Sequence, residues 1–535
     1  MITGKVLTNA AIAVLASFGM LAAADAAVAD EERDTIKQEV VAGVEARAKL
    51  AQVMNDMIFS FGELGFQEFE TSAYLTSVLE ENGFEIEYGI SGIPTAWMAT
   101  WGSGEPVIAL GSDIDGIPKA SQKPGVAYRD PIIDGAPGHG EGHNSGSVVN
   151  IVAALAVKDV IEARGLSGTI KIWPGVAEEQ LATKAFYVRD GYFDGVDAVL
   201  FSHVSNRLGV SWGAGRGNGL VSVRYDFAGE SAHSAGSPWR ARSALDAVEL
   251  MNIGMNYRRE HLRLSQRTHS VIVDGGDQPN VVPPAASIWY FFRETDYEHI
   301  KALWEIGDDM AEGAALMTNT TWDSTVLGTA WPRHMNKAMA ERTWEHIQMV
   351  GMPEWSDDDI ALAQALQTAI GADVEGLNTE LDAELSDPPD PSTNTGGGSD
   401  DIGDISWQVP TIVLGYPSNI PNLPGHNWAN AVAMATPIAH KGIVAGAKVQ
   451  AMTLFDLMTD LSLLESAWQY YDEVQTKEEQ YIPLLREEDV PAVHLNADIM
   501  ARWRPEMEEY YYDPERFDTY LEQLGIEYPV LAPPK

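Results

Sequence analysis

The sequence predicts an α/β protein with a mixed sheet, into which a smaller α+β domain of the ferredoxin-like type is inserted. Short β-like runs alternate with helix-like runs between residues 84 and 202, which is typical of an α/β sheet. From about Gly213 the order changes to a βαββαβ pattern, and helices return after Pro332. The predicted domains are therefore 30–212 together with 333–465, the inserted domain 213–332, and an acidic C-terminal extension, 466–535.

The length, charge and cysteine content of the chain exclude several classes of protein. The chain has 535 residues, which is enough for several domains. Its 78 acidic and 35 basic side chains give a formal net charge of −43. Such a surface repels phosphate backbones, so the sequence argues against a nucleic-acid partner. The absence of cysteine excludes disulfides, thiolate nucleophiles and cysteine metal ligands.

Residues 1–29 have the pattern of a secretory signal peptide. Lys5 precedes an apolar run over residues 10–21, and small residues precede cleavage points after Ala27 or Ala29. The alternative is an uncleaved membrane anchor, although the apolar run is short for a membrane span. No later segment offers about 18 uninterrupted apolar residues. We therefore expect an exported, periplasmic protein without membrane contact after cleavage.

The first half of the chain supplies the elements of the predicted sheet. Apolar residues at helical spacing predict a helix over 44–57, and a second helix is predicted over 70–82. The strands are predicted over 84–88, 96–101, 107–110, 168–173 and 198–202, with helices reaching to about residues 164 and 191. Because α/β sheets bind ligands beyond the carboxyl ends of their strands, the polar residues that follow these strands are candidates for a site.

The second half contains the inserted domain and the return to the sheet. Strands over 220–227, 268–273, 287–293 and 320–327 and helices over 243–260 and 299–317 are predicted for the inserted domain. A strand over 411–415 and a long helix over 431–457 follow, with a kink expected at Pro437. The tail from about residue 461 is rich in Glu and Tyr and is predicted to be helical.

The stretch Gly138-His139-Gly140-Glu141-Gly142-His143-Asn144 carries the clearest chemical signal. Imidazole and carboxylate groups are ligands for a hard or borderline divalent metal. The glycines allow a sharp turn that brings Glu141 and His143 to one point. An apolar, helix-like run follows over 148–157, so the candidate ligands lie on a loop before a buried helix. Three predicted strand ends add further polar groups, namely Asp113 and Asp115, Glu178 and Glu179, and His203.

The order of the motifs resembles the M20 peptidase family. The motifs are Gly-Ser-Asp-Ile-Asp, Gly-His-Gly-Glu-Gly-His-Asn, Ala-Glu-Glu, Ser-His-Val, Ala-His-Ser-Ala, Pro-Asn-Val-Val-Pro and a late Gly-His-Asn. Each motif alone is weak, but seven in order over residues 35–465 are specific. The nearest similarity is to the amidohydrolase branch, and there to the aminobenzoyl-glutamate hydrolase subgroup, which the stretch 398–407 particularly resembles.

The resemblance implies two divalent metal ions, Zn²⁺ or Mn²⁺. The matching ligand positions are Glu141, His143, Glu179, His203 and His426. The amidohydrolase branch typically has a cysteine at position 141, whereas other branches use a bridging carboxylate in this role. Glu141 is therefore expected to bridge both ions and to favour harder metals than a thiolate would. The alternative is a site that has lost one ligand and one metal.

The resemblance also implies catalytic and substrate-binding roles. Glu178 matches the general base, which takes a proton from the attacking water and returns it to the leaving amine. Asp113 matches a carboxylate that orients a metal ligand. His233 matches a histidine that reaches the partner subunit's site to stabilise the oxyanion, which implies a homodimer through the inserted domain. Asn280 and Arg293 match positions that bind the substrate's carboxylate.

The function expected from this resemblance is hydrolysis of the amide bond in N-acyl or N-aroyl amino acids such as aminobenzoyl-glutamate. One alternative is an exopeptidase of the dipeptidase or carboxypeptidase type. Another is a non-catalytic relative that only binds a ligand, but the presence of Glu178 argues against it because loss of the base is the simplest route to such a protein. His139 is interpreted as shaping the loop, and Asp400 and Asp401 as capping a turn beside the site.

Overall fold

The structure, a computed structural model, describes residues 30–181, 183–215, 217–390, 393–394 and 396–534. The predicted signal peptide, 1–29, lies outside these described residues. The strands are β1 Glu85–Tyr88, β2 Trp97–Ser103, β3 Val107–Asp113, β4 Gly168–Gly175, β5 Ala198–Ser205, β6 Gly209–Val210, β7 Gly213–Ala214, β8 Gly219–Ala228, β9 Arg267–Asp274, β10 Ala285–Glu294, β11 Thr321–Ala330, β12 His334–Met335 and β13 Thr411–Pro417.

The helices follow the same chain order. They are α1 Asp30–Ala46, α2 Ala48–Phe61, α3 Phe69–Glu81, α4 Gly146–Arg164, α5 Lys184–Arg189, α6 Ala244–Arg258, α7 Tyr297–Thr318, α8 Lys337–Val350, α9 Asp357–Ile370, α10 Ile402–Ser406, α11 Trp428–Ala431, α12 Pro437–Thr459, α13 Leu461–Tyr470, α14 Ala497–Met507 and α15 Tyr520–Gln523. None of these described helices combines the length and the apolar character that a membrane crossing requires.

A seven-stranded mixed sheet forms the larger domain, with strand order β1-β2-β4-β3-β5-β13-β6. Strands β4, β3, β5 and β13 are mutually parallel, whereas β1, β2 and β6 pair antiparallel at the two sides. The parallel strands are buried and read as apolar runs, such as Ala198-Val199-Leu200-Phe201, because helices such as α4 and α12 pack against the sheet. The predicted α/β class is confirmed.

A separate four-stranded antiparallel sheet forms the inserted domain, with strand order β11-β8-β10-β9. Helices α6 and α7 pack on this sheet and share with it a core that includes Val223, Met251 and Phe292. The chain order β8-α6-β9-β10-α7-β11 is the βαββαβ pattern expected from the sequence. All four strands lie between residues 213 and 332, and the predicted ferredoxin-like insertion is confirmed.

The long C-terminal helix differs from its prediction. It begins at Pro437 and does not pass through it, because proline lacks an N–H and is tolerated in the first helical turn. The residues before it form the short helix α11, so the kink predicted at Pro437 was wrong.

The C-terminal extension is less helical than predicted. Residues 476–496, which include Pro483 and Pro491, have no helix and are held by contacts with the rest of the chain. Arg504 forms an ion pair with Glu63, and Val530 forms a β-bridge with Val126 in the larger domain. The extension therefore packs on the larger domain.

Candidate metal centre and active site

The candidate site lies where the parallel strands of the larger sheet end. Strands β3, β4, β5 and β13 present their carboxyl ends at one edge, as parallel strands in an α/β sheet must. A cavity of about 430 Å³ opens there and reaches the inserted domain. Its walls carry predicted site residues, namely Glu141, Glu178, Glu179, His203, Arg293 and His426.

The loop before α4 positions Glu141 and His143. Gly142 between them has a φ of +119°, a conformation that L side chains rarely adopt. A Cβ atom at this position would also lie 2.5 Å from the sulfur of Met434. Only glycine fits this turn without strain, which explains why the two ligand candidates are separated by that residue.

The turn after β4 positions the two adjacent glutamates. Glu178 and Glu179 lie between Ala177 and Leu181, both of which have left-handed backbone conformations with φ of 53° and 51°. Such conformations cost free energy for residues with side chains and are concentrated at functional sites. The backbone N–H of Glu179 donates a hydrogen bond of 3.0 Å to Asp115 Oδ2. The tight turn therefore holds both carboxylates beside the cavity.

The five predicted ligands converge on one point, and we call them the histidine–carboxylate cluster: Glu141, His143, Glu179, His203 and His426. Nε2 of His426 lies 2.9 Å from Glu141 Oε2 and 3.4 Å from Glu179 Oε2. Nε2 of His203 lies 3.9 Å from Glu141 Oε1, and the rings of His143 and His203 have centroids 5.3 Å apart. Residues from four separate parts of the chain thus lie close together at this edge of the sheet.

The cluster fits a divalent metal. Glu141, His143 and Glu179 each offer a ligand atom, and these atoms lie within 4.8 Å of one another. The same holds for Asp113, His143 and His203. His143 Nε2 and Glu179 Oε1 are buried and have no hydrogen-bond partner among the described residues. A buried polar atom without a partner is costly, and a cation bound to nitrogen and oxygen ligands would satisfy both atoms.

The charges within the cluster support the same conclusion. Burial would lower the pKa of His143, but the carboxylates of Asp115 and Glu141 raise this pKa well above its usual value. Burial would raise the pKa of Glu141, but His426 and His143 lower it far below the usual range. Protons on histidine therefore compensate the carboxylates in the free protein, and a metal ion would replace those protons on binding.

Glu178 borders this cluster without belonging to it. Its Oε2 lies 4.0 Å from His143 Nε2, and its side chain faces the cavity. Burial raises the pKa of Glu178 well above its usual value, and the charges of Asp113 and Asp400 raise it further. A carboxylate with a raised pKa beside a metal site is suited to accept and return a proton.

Asp115, not Asp113, makes the direct contact with a predicted ligand. Asp115 Oδ1 accepts a hydrogen bond of 3.2 Å from His143 Nδ1, while its other oxygen binds the backbone of Glu179. It therefore orients two of the five ligands, the role that the resemblance implied for Asp113. In the sequence, both aspartates of the Asp-Ile-Asp motif follow a predicted strand. This pattern does not specify which of the two carboxylates faces the ligand.

Asp113 belongs instead to a second charged group, which we call the Lys184 cluster: Asp113, Lys184, Asp400 and Asp401. The fully buried Lys184 ammonium donates to Asp113 Oδ1 at 2.6 Å, forms a short contact with Asp401 and lies 3.8 Å from Asp400. Asp400 Oδ1 also accepts a hydrogen bond from the Ile402 N–H, which caps the turn as the sequence suggested. Lys184 was not identified from the sequence.

Two arginines face the cavity from the side of the inserted domain. Arg293 lies on β10 and donates from Nη1 to Ser399 Oγ at 3.3 Å. Burial lowers the pKa of Arg293, and the nearby charge of Glu178 partly offsets this effect. Arg333, just before β12, also lines the cavity and was not singled out from the sequence.

The remaining predicted residues lie elsewhere. His233 is exposed on the inserted domain, where its Nδ1 accepts hydrogen bonds from the backbone N–H groups of Ala235 and Gly236. Asn280 is its neighbour, because its carbonyl accepts the Ser234 N–H at 3.0 Å. Neither residue is among the described residues that line the cavity of the same chain. Their catalytic and substrate-binding roles stay predictions.

His139 is separate from the cluster. It is buried, and its Nε2 donates to the Ile58 carbonyl at 3.0 Å, which ties the loop to α2. Burial lowers the pKa of His139 to about 3, so this ring is neutral. Its contacts agree with the interpretation that it shapes the loop.

Comparisons with known proteins identify relatives of this chain. The family model described as the peptidase dimerisation domain matches residues 217–315. One of the subunits of p-aminobenzoyl-glutamate hydrolase from Escherichia coli is 32% identical over 451 residues, which cover 80% of this chain and 93% of that protein. The mouse Xaa-Arg dipeptidase is 25% identical over 440 residues, covering 81% of this chain and 91% of that protein.

A solved structure has the same fold. The aminobenzoyl-glutamate utilization protein from Klebsiella pneumoniae aligns with a TM-score of 0.52 and 16% identity, covering 78% of this chain and 97% of that chain. At this level of identity the likeness concerns the fold alone.

Proposed function

The chain belongs to the M20 peptidase family and is an amide hydrolase, and we propose that it cleaves N-acyl or N-aroyl amino acids of the aminobenzoyl-glutamate type. One observation carries the proposal. Glu178 faces the cavity with its carboxylate 4.0 Å from Nε2 of His143, beside a cluster of metal-ligand side chains. This position supports a role for Glu178 as the general base that acts on a metal-activated water in amide hydrolysis.

The residues divide the reaction between them. A divalent ion in the histidine–carboxylate cluster would lower the pKa of water and polarise the amide carbonyl. Glu178 takes the proton from the attacking water and delivers it to the departing amine nitrogen. Asp115 keeps His143 and the Glu179 turn in place through its two hydrogen bonds. Arg293 binds the carboxylate of the amino acid and so orients the scissile bond.

We propose two ions, Zn²⁺ or Mn²⁺, with Glu141 bridging them. The proximity of Glu141 to both His203 and His426 supports a bridging position. An oxygen ligand in place of a thiolate favours harder ions. Metal analysis of the purified protein tests this: about two ions per chain are expected, and about one ion per chain would contradict the bridging role of Glu141.

We propose that the active assembly is a dimer formed through the inserted domain. His233 is exposed and does not line the cavity of its own chain, so a partner must supply this group if it stabilises the oxyanion. The partner is a second copy or a related chain, since the name of the Escherichia coli relative describes one subunit of a hydrolase. Light scattering of the purified chain distinguishes a homodimer from an assembly that needs a related chain. A homodimer would have twice the chain mass of 58.2 kDa, less the mass of any cleaved signal peptide.

We propose export to the periplasm, with residues 1–29 removed. The apolar run and the small residues before Ala27 and Ala29 support this proposal. Mass spectrometry of the protein from cell fractions tests it, and an intact N-terminus in the cytoplasm would contradict it.

The decisive experiment compares wild type with Glu178→Gln. With p-aminobenzoyl-glutamate as substrate, the variant should lose about 10²–10⁴-fold in kcat while retaining its metal content, because only the proton-transfer group is removed. Glu162→Gln is the matched control, since Glu162 lies on the surface of α4 and pairs with Lys158. Equal rates for wild type and Glu178→Gln would reject the mechanism, and a wild type without activity on any amide would indicate a binding-only protein.

The second candidate is a dipeptidase. It is supported by the mouse relative, whose name specifies an Xaa-Arg dipeptide. A panel that includes dipeptides ending in arginine and N-aroyl amino acids decides between the candidates, and a higher kcat/KM on the dipeptides would reverse our ranking.

A further inference from the structure

Two guanidinium groups line the cavity together with the metal-ligand side chains. Arg293 comes from β10 of the inserted domain, and Arg333 comes from the segment that returns from β11 to the larger domain. Ser399 lines the same cavity and contacts Arg293. The two arginines therefore meet at the cavity from different parts of the chain.

Both guanidinium groups have hydrogen-bond donors without a partner among the described residues. Arg293 donates one hydrogen bond, to Ser399, while its buried Nε has no partner in the described part of the chain. Arg333 accepts the Gly215 N–H through its carbonyl, but its guanidinium forms no hydrogen bond or ion pair with any described residue. Elsewhere in the structure buried or half-buried arginines such as Arg342 and Arg504 are paired with carboxylates.

The charge of the surroundings makes these two groups specific for anions. The same cavity is also lined by Glu141, Glu178, Glu179 and Asp400, and the whole chain has a formal net charge of −43. An anionic ligand is repelled by these carboxylates and attracted by the two guanidinium groups, so its carboxylates are directed to the arginines. Each guanidinium can bind one carboxylate through two parallel N–H donors. Two such groups match two carboxylates.

We propose that Arg333 is a specificity-determining residue that binds the side-chain carboxylate of a dicarboxylic amino acid, while Arg293 binds its α-carboxylate. The proposal rests on the proposed amide hydrolysis and specifies its substrate class as N-acyl derivatives of acidic amino acids. A substrate with a cationic side chain would be repelled at the same position, which opposes the dipeptidase alternative for arginine-terminated dipeptides.

The test compares two substrates of nearly identical shape, N-benzoyl-L-glutamate and N-benzoyl-L-glutamine. Wild type should prefer the glutamate substrate in kcat/KM by about 10–100-fold, because charge-assisted hydrogen bonds are stronger than neutral ones. Arg333→Gln should lower kcat/KM for the glutamate substrate by a similar factor, about 10–100-fold, and change that for the glutamine substrate less than about threefold. The loss should appear mainly in KM.

Two further variants separate recognition from structure. Arg333→Lys retains the charge without the planar fork and should recover part of the preference for glutamate. Arg207→Gln removes an arginine whose partner, Asp382, is exposed and should leave both substrates unaffected. An equal loss on both substrates in Arg333→Gln would show a structural role and overturn the proposal, as would an unchanged preference.

A binding measurement separates this proposal from the proposed function. Isothermal titration with L-glutamate and L-glutamine, the amino-acid products of the two substrates, needs no turnover. If wild type hydrolyses neither substrate but binds glutamate more tightly than glutamine in an Arg333-dependent way, the hydrolase mechanism fails and the specificity role stands. If hydrolysis occurs but neither binding nor turnover depends on Arg333, the specificity role fails and the proposed function stands.

Discussion

The histidine–carboxylate cluster and the Lys184 cluster lie side by side at the same edge of the larger sheet. They differ in how the charge of their buried carboxylates is compensated. In the Lys184 cluster a cation of the chain itself contacts Asp113, Asp400 and Asp401. In the histidine–carboxylate cluster, buried atoms of His143 and Glu179 have no hydrogen-bond partner among the described residues.

The difference shows which group is structural and which is prepared for a ligand. Buried carboxylates need a compensating cation, because transfer of a charge out of water costs several kcal/mol per ion. Lys184 supplies that cation permanently, although Asp113 Oδ2 has no hydrogen-bond partner among the described residues. In the histidine–carboxylate cluster the compensating protons on histidine can be exchanged for a cation from solution, which is the property expected of a metal site.

Among the changes that test this comparison, replacement of Lys184 by methionine should lower the free energy of unfolding most. Lys184→Met keeps the volume but leaves three carboxylates without their cation, so we expect a loss of about 3–5 kcal/mol in the free energy of unfolding. The measurement is the midpoint of urea unfolding, followed by circular dichroism. The same loss of stability would lower the yield of soluble Lys184→Met protein when it is expressed at 37 °C.

Lys448→Met is the matched control for this variant. Lys448 pairs with Glu45 at 2.6 Å on the surface, where an ion pair contributes about 0–1 kcal/mol. If the two lysine variants unfold at the same urea concentration, then Lys184 does not stabilise its cluster and the contrast between the clusters is lost.

Metal addition gives the next largest effect. Zn²⁺ or Mn²⁺ at about 100 times its dissociation constant should raise the free energy of unfolding by about 2.7 kcal/mol relative to protein kept in chelator. Thermal unfolding with and without the metal measures this difference. The physical reason is that the ion binds only the folded cluster and satisfies the free atoms of His143 and Glu179.

His143→Ala removes the ligand candidate that takes part in two of the possible metal groupings. This variant should therefore lose the metal-dependent increase while keeping the Lys184 cluster intact. An increase of unchanged size in His143→Ala would mean that the metal binds elsewhere, and the assignment of the cluster would be wrong.

The two clusters also differ in how far the sequence could predict them. Glu141, His143, Glu178 and Glu179 lie in short motifs directly beyond predicted strands, and parallel strands bring such positions to one edge. Their proximity was therefore accessible from local patterns. No local pattern singled out Lys184, because its partner Asp401 is 217 residues away in sequence.

The fold, too, could be predicted from the sequence only where local patterns determine it. The strands of both sheets except β6 were predicted closely, because periodicity and turn residues are local signals. The choice between Asp113 and Asp115 as the residue that contacts His143 depends on side-chain directions at the end of β3, which no pattern specifies. The irregular path of residues 476–496 depends on tertiary contacts such as the hydrogen bond from Tyr481 to Asp404, at 2.7 Å.

Asp404 provides a third case, a buried carboxylate with neither a lysine nor a metal-ligand cluster around it among the described residues. Its oxygens accept hydrogen bonds from the Trp331 N–H at 2.9 Å and from the Tyr481 hydroxyl. Burial raises the pKa of Asp404 to about 7, although these two hydrogen bonds lower it. Burial also raises the pKa of Asp401 in the Lys184 cluster, although the charge of Lys184 lowers it there.

The smallest predicted effect follows from this raised pKa. The folded protein holds the proton of Asp404 up to about pH 7, whereas the unfolded chain releases it near the usual aspartate pKa of 3.8. Stability is therefore lost as the pH rises through this window, by about 2 kcal/mol between pH 5 and pH 7. Asp404→Asn cannot titrate, so its free energy of unfolding should fall less than that of wild type over the same range. Tyr481→Phe removes one hydrogen-bond donor to the carboxylate, so its free energy of unfolding should fall more steeply with pH than that of wild type. If the free energies of unfolding of wild type and Asp404→Asn instead change in parallel with pH, Asp404 is already ionised at pH 5.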